Sequence, residues 1–150
     1  MTAGEVFDDG NDHVIRVGGV AGWAFAVAPG YTTLTSLQER ALSADGVDVI
    51  VLSGNGNADR IFIHLRDGAC VSGFEPGNAQ HRSGDDPDRW VPALQRVGLL
   101  TPEGLSALAF SETWVDVRRL MLRMAEDEFQ LELPQMDFDG PLRAVRVAPR

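Results

Sequence analysis

Apolar and polar residues alternate with a period of two in several segments of the first half of the chain, which is the pattern of β-strands. The alternation is cleanest in RIFIHLR (60–66), where isoleucine and leucine lie on one side and arginine, phenylalanine and histidine on the other. The segment VDVIVLS (47–53) is almost continuously apolar and is therefore expected in the middle of a sheet. The pattern predicts strands at His13–Val17, Trp23–Ala28, Val47–Ser53, Arg60–Arg66 and Cys70–Glu75.

Glycine-containing links between these segments predict antiparallel hairpins. Gly18-Gly19 is expected to end the first strand, and the short link that follows suits a hairpin. Asp67-Gly68 predicts a type I′ turn, because that turn needs a positive φ at both central residues.

An apolar period of three to four residues predicts helices in the remaining segments. Ser36 and Glu39 form a capping-box pattern, and Leu37, Ala41 and Leu42 supply the apolar face of the helix that follows. Further helices are predicted from Asp86-Pro87 to Gly98, from Thr101-Pro102 to Phe110, and from Thr113 to Asp127. The predicted fold is α+β, an antiparallel sheet of about five strands with three to four helices packed mainly on one face.

At 150 residues the chain is expected to form a single domain. Residues 1–12 are acidic and polar, so we expect a flexible N-terminus. Residues 134–150 are rich in proline and aspartate, and we expect a loosely ordered tail with one short strand at Arg143–Val147.

The formal net charge is −9 at pH 7, which changes the range of expected partners. Phosphate backbones and anionic lipids attract clustered cations, so this charge argues against binding to nucleic acid or to a membrane surface. A positively charged protein partner is favoured by electrostatic steering, although an acidic surface also promotes solubility. All 13 Lys/Arg positions are arginine, which excludes Schiff-base and P-loop lysine chemistry.

Cys70 is the single cysteine, so no intrachain disulfide forms and a reducing compartment is expected. It falls in an apolar strand, where we expect a small buried side chain. The N-terminal segment lacks a signal-peptide pattern, and no apolar run approaches the length of a membrane span. The expected location is the cytoplasm.

Five short motifs occur in a characteristic order: GWAFAV (22–27), NGNAD (55–59), DG (67–68), GFEP (73–76) and RSGDDPDRW (82–90). Over about residues 20–130 the chain resembles a family of small uncharacterised proteins of actinomycetes. It departs from that family at SGNG (53–56), where members more often read RNVNA, and at GDDPD (84–88), where they usually read GSDPD. The family has no assigned activity, so the resemblance implies a single-domain bacterial protein and leaves its function open.

His64 is the candidate general base, with Asp59 as the carboxylate that would orient its ring. The alternative, which the sequence favours, is a histidine on a half-exposed sheet face. Neither His13 nor His81 stands at a metal-like spacing from His64 or from the cysteine, and no metal site or cofactor is predicted.

Two acidic clusters, at residues 8–12 and 85–88, invite a calcium interpretation. An EF-hand loop beginning at Asp8 or Asp9 would require glutamate at its twelfth position, where the chain has Gly19 or Val20. Asp86 and Asp88 are better explained as helix-capping residues.

An anion site is a further candidate. Asn57 lies in a Gly/Asn-rich turn whose backbone N–H groups could converge on an anion, although turn chemistry alone explains these residues. Arg60, Arg66 and Arg82 could bind a carboxylate or phosphate through bidentate contacts.

Two hypotheses of function follow. The favoured one is a non-catalytic protein-interaction module, for instance an immunity or antitoxin-like inhibitor of a basic toxin. Its contact surface would be the sheet face that carries Arg60, Phe62 and His64, or the sheet edge beside Trp23. The second is a small hydrolase or lyase that uses His64 with Asp59, or a binder of small anions.

Overall fold

The computed structural model describes residues 14–20, 22–27, 36–54, 60–107, 114–131 and 143–146. The chain divides into two compact units, Met1–Thr33 with Gln130–Arg150, and Leu34–Phe129. The number of domains stays a prediction. The expectations for residues 1–12 lie outside the described residues, as do those for most of residues 134–150.

The strands are β1 (Val14–Val20), β2 (Trp23–Val27), β3 (Asp48–Gly54), β4 (Arg60–Arg66), β5 (Ala69–Phe74), β6 (Arg82–Ser83) and β7 (Arg143–Arg146). The helices are α1 (Ser36–Leu42), α2 (Val91–Arg96) and α3 (Trp114–Phe129), together with a 3-10 turn at Pro76–Asn78. The fold is therefore α+β. The described strands form two antiparallel sheets, of three and four strands, in place of the single predicted sheet of about five.

The first unit contains the three-stranded sheet, in the order β2–β1–β7. Gly18 and Gly19 do not end β1 as predicted, because both pair with β2 and the turn falls after Val20. This turn includes Gly22, whose φ of 83° favours a residue without a Cβ. The predicted short strand near the C-terminus is confirmed as β7, which pairs with β1.

The second unit contains the four-stranded sheet, in the order β3–β4–β5–β6. β4 begins and ends at the predicted residues and takes a central place, whereas β3, expected there, lies at one edge of the described strands. The β4–β5 hairpin turns at Asp67 and Gly68, with φ of 51° and 74°, so the predicted positive-φ turn is confirmed. Asp67 also binds the loop between α1 and β3, since its carboxylate accepts the Gly46 N–H at 2.6 Å.

Three of the helix predictions need correction, and the helix predicted from Asp86-Pro87 begins only at Val91. The predicted apolar face of α1 is exposed, with Leu37 at 77% and Leu42 at 54% of their full accessibility. Residues 101–107 form no helix but a turn, closed by an isolated bridge between Leu100 and Ser106. Residues 108–110 lie outside the described part of the chain.

The core of the second unit joins one face of its sheet to α2 and α3. Phe62 and Phe74 lie on that face, with their ring centroids 4.8 Å apart. The indole of Trp90 meets the ring of Phe62 edge to face at 4.9 Å. The remaining fully or nearly buried apolar residues of the cluster are Ala79, Ala93, Leu94, Leu99, Leu100, Val117, Met121 and Met124. Val117, Met121 and Met124 form the inward face of α3.

Candidate functional site

His64 lies in β4 on the face that the core covers, and only 3% of the residue is exposed. Its Nε2 lies 2.8 Å from Oδ1 of Asp48 on the neighbouring strand β3. Its Nδ1 accepts the indole N–H of Trp90, with 3.3 Å between the two nitrogens. An indole nitrogen is a donor only, so Nδ1 carries no proton and Nε2 is the protonated nitrogen that donates to Asp48.

Asp48 connects this buried histidine to the surface. Its Oδ2 lies 3.6 Å from Nη1 of Arg66, which stands opposite it in the β3–β4 register. The Arg66 side chain is 55% exposed, and that of Asp48 is 20% exposed. The result is a chain of four polar side chains that runs from buried Trp90 through His64 and Asp48 to exposed Arg66.

Aromatic rings enclose the histidine. The ring centroids of Trp90 and Phe129 lie 5.6 and 5.9 Å from that of His64, and both meet it edge to face. Trp90 and Phe129 are also in contact with each other, at 6.0 Å. The expected half-exposed position of His64 is therefore wrong, because the Trp90 segment and α3 cover this face of the sheet. Phe62, expected on a contact surface, is fully buried for the same reason.

This arrangement limits what His64 can do chemically. A general base needs a free nitrogen lone pair within reach of the proton that it removes. The one unprotonated nitrogen of His64 is occupied by Trp90, in a position shielded from solvent. The expected partner, Asp59, lies outside the described residues, and the carboxylate that binds His64 is Asp48. Sequence reasoning missed Asp48, whose position before the apolar run of β3 was the available signal.

A second feature is the acidic loop, defined here as Gly84–Asp88. Backbone hydrogen bonds attach it to β5: the N–H groups of Asp85 and Asp86 donate to the carbonyls of Cys70 and Val71, at 3.0 and 2.8 Å. The hydroxyl of Ser72 donates to the carbonyl of Pro87 at 3.2 Å. These bonds explain why α2 begins at Val91 and not at Pro87, since the residues before it follow the edge of the sheet.

Gly84 allows this close approach. Its φ is 116°, and a Cβ there would overlap the carbonyl group of Val71 and lie 2.9 Å from the carbonyl oxygen of Cys70. Any other residue would force the loop away from β5.

Arg82, expected to bind an anion, is engaged within the protein. Its Nε and Nη2 donate to Oδ1 of Asp88 at 3.2 and 2.7 Å, and its Nη1 donates to the carbonyl of Ala79 at 2.6 Å. Its side chain is 15% exposed. Arg66 binds a different carboxylate, that of Asp48. The side chain of Arg60 and all of Asn57 lie outside the described part of the chain.

The arginines of the segment 75–107 all pair with acids: Arg82 with Asp88, Arg89 with Glu128 and Arg96 with Asp127. Four exposed carboxylates of the same segment have no ion-pair partner among the described residues. These are Glu75, Asp85, Asp86 and Glu103. Asp85 and Asp86 differ from the others because hydrogen bonds to β5 fix the backbone of both.

Cys70 is half-buried and lies beside this loop. Burial raises the pKa of its thiol, the negative charge of Asp85 raises it further, and Arg40 opposes these effects. The thiol is therefore largely protonated near neutral pH, where the thiolate is the reactive form.

Among the described residues, no three His, Cys, Asp or Glu side chains are placed to hold a metal ion together. No helix in that part of the chain has the length and apolar character needed to cross a bilayer.

Fold and site define a small α+β protein in which a buried histidine links a buried tryptophan to a partly exposed carboxylate. The chain belongs to a family of unknown function, DUF6461, whose model matches residues 5–127. The expected membership in a family of unknown function is confirmed, and an origin in actinomycetes stays a prediction. No match was found among curated proteins or among solved structures.

Proposed function

We propose that this protein is a non-catalytic interaction module that acts in the cytoplasm and binds a basic protein partner through its acidic loop. An immunity or antitoxin-like inhibitor of a basic toxin would act in this way. The observation that carries the proposal is the state of Asp85 and Asp86. Their carboxylates are exposed and unpaired within the described residues, while their backbone N–H groups are bonded to β5.

Carboxylates carried on a backbone that is already bonded to a sheet suit recognition of a cationic surface. Association costs conformational entropy for each side chain and loop that becomes ordered, and a loop already bonded to a sheet loses less. Complementary charge also raises the association rate, and it does so most strongly at low ionic strength. The formal net charge of −9 favours a cationic partner over an anionic one.

Both ring nitrogens of His64 are already hydrogen-bonded within the protein, which supports a binding role over a catalytic one. Its acceptor nitrogen holds Trp90, and its donor nitrogen holds Asp48. In this arrangement the imidazole stabilises the packing around it, and a substrate would have to displace Trp90 to reach Nδ1.

The test is affinity capture of the tagged protein from lysate of its own cells at low and high salt. We expect one stoichiometric basic partner that is lost as salt rises, because screening weakens interactions between exposed charges. The double variant Asp85→Asn/Asp86→Asn should lose most of this partner. The control Asp45→Asn/Glu103→Gln changes the net charge equally at other exposed positions and should retain it. Asn is tolerated at Asp45, whose φ is 58°.

Two results would count against the proposal. One is a partner whose affinity does not respond to salt. The other is equal loss of the partner in both double variants, which would mean that total charge matters and the acidic loop does not.

A further inference from the structure

We infer that His64 is a proton-sensitive anchor of the acidic loop: when its imidazole takes up a second proton, the bond to Trp90 breaks and the loop loosens from β5. The inference concerns the free protein and does not depend on whether the loop binds a partner.

The first step is the chemistry of the ring. Neutral His64 uses both nitrogens, as acceptor from Trp90 and as donor to Asp48. A protonated imidazole has two N–H donors and no acceptor. The bond to Asp48 survives protonation, but the new proton on Nδ1 points at the indole N–H of Trp90. Two buried donors then face each other, so one of the two rings must move.

The second step is the connection from Trp90 to the loop. Trp90 lies two residues after Asp88, and the intervening backbone is bonded on both sides. Arg89 donates its N–H to the carbonyl of Asp86 at 3.2 Å, and Val91 donates to that of Asp88 at 3.0 Å. Movement of the indole therefore displaces the acidic loop, whose N–H groups donate to β5.

Among the polar and charged groups around His64, Trp90 is the one whose hydrogen bond is broken by protonation. Asp48 on β3 accepts from the ring in either state, and Arg66 on β4 lies beyond Asp48. β5 presents Ser72, which is opposite His64 in the register and donates to Pro87 of the loop. On the remaining side, α3 presents Phe129, while Arg89 next to Trp90 is paired with Glu128. The hydroxyl proton of Ser72 goes to Pro87, and the bond found at Nδ1 among the described residues is the one from Trp90.

The reverse effect follows from linkage. If protonation favours the loosened loop, then a loosened loop must favour protonation by the same factor. Any contact that holds the acidic loop on β5 would therefore keep His64 neutral.

The test follows amide hydrogen exchange of Asp85 and Asp86 by NMR, in the free protein, from about pH 7.5 to about pH 5.5, where imidazoles titrate. Protection factors remove the intrinsic pH dependence of exchange. We expect the protection of both amides to fall at least tenfold across this range. The variant His64→Gln can accept from Trp90 through its amide oxygen and donate to Asp48 through its amide nitrogen, but it does not titrate. Its protection should stay constant, whereas His81→Gln, which changes an exposed histidine, should behave as the wild type.

A fall in protection that persists in His64→Gln would overturn the inference. A second measurement serves if that variant does not fold. In the wild type, the indole N–H resonance of Trp90 must move together with the ring resonances of His64. Titration of His64 that leaves the indole signal and both amides unchanged would also refute it.

Discussion

Trp90 donates its indole N–H to Nδ1 of His64, and both side chains are almost completely removed from solvent. The bond joins the segment that follows the acidic loop to β4, one of the two central strands of the four-stranded sheet. It also sets the tautomer of the histidine and so directs the second ring nitrogen to Asp48. One contact between residues 26 positions apart thus arranges three buried or half-buried polar groups.

Replacing Trp90 with phenylalanine removes the donor and leaves Nδ1 of His64 buried without a partner. An unsatisfied buried acceptor costs about 1–3 kcal/mol, and the smaller ring adds a packing loss. We expect the free energy of unfolding to fall by at least this amount, measured by urea denaturation. In the variant, NMR should show that the His64 ring no longer keeps a single tautomer. A stability unchanged to within about 0.5 kcal/mol would mean that the bond contributes nothing to the fold.

Gly84→Ala tests the close approach of the acidic loop to β5. The added Cβ would overlap the carbonyl of Val71, at a φ that L-residues rarely adopt. The matched control is Gly104→Ala, where φ is also positive, at 82°, but nothing lies within 4 Å of the new Cβ. Both variants carry the cost of the positive φ, and only the first carries the steric cost. We expect Gly84→Ala to be less stable than the control by about 1–3 kcal/mol, the usual penalty of overpacking. Equal losses in thermal or urea unfolding would show that the loop can move aside.

The parts of this fold that the sequence predicts correctly depend on local signals. β4 has a period of two over seven residues, and the turn at Asp67 and Gly68 needs only its own two residues to specify it. The helix predicted from Pro87 had a good capping sequence, yet α2 begins at Val91. The residues at its predicted start bond to β5 instead, and β5 lies more than ten residues earlier in the chain.

The candidate site was harder to predict because its geometry depends on register. The pairing of β3 with β4 sets Asp48 opposite Arg66 and Ile50 opposite His64, and Asp48 binds the histidine from there. No local pattern gives the alignment of two neighbouring strands, and none indicates which sheet face a distant tryptophan will cover. The sequence therefore indicates His64 as a candidate residue but does not specify its partners.

Arg82→Lys tests whether Arg82 is structural. Lysine cannot reproduce the three hydrogen bonds that the guanidinium makes to Asp88 and to the Ala79 carbonyl. We expect a loss of about 1–2 kcal/mol of unfolding free energy, as for charge-assisted bonds of a largely buried group. Arg66→Lys is the matched control, since its side chain is 55% exposed and its contact to Asp48 is long. The control should change stability by less than about 0.5 kcal/mol. Equally mild changes would show that the three bonds of Arg82 contribute little to stability.

The reactivity of Cys70 reports on the acidic loop through charge. Burial and Asp85 both raise the pKa of its thiol above the ordinary value. A thiol with a raised pKa is less ionised at any pH below that value, so alkylation by iodoacetamide should be slow at neutral pH. The midpoint of the rate against pH should lie at a higher pH than that of an ordinary, exposed thiol. Asp85→Asn removes one cause of the shift, and we expect the midpoint of the rate against pH to move to lower pH.

Asp86→Asn changes the neighbouring carboxylate, which does not contribute to the shift of Cys70, and should leave the midpoint in place. A midpoint that moved equally in both variants would show that Cys70 senses the net charge of the loop. A midpoint that moved in neither would mean that Asp85 does not act on the thiol, and that burial alone sets its reactivity.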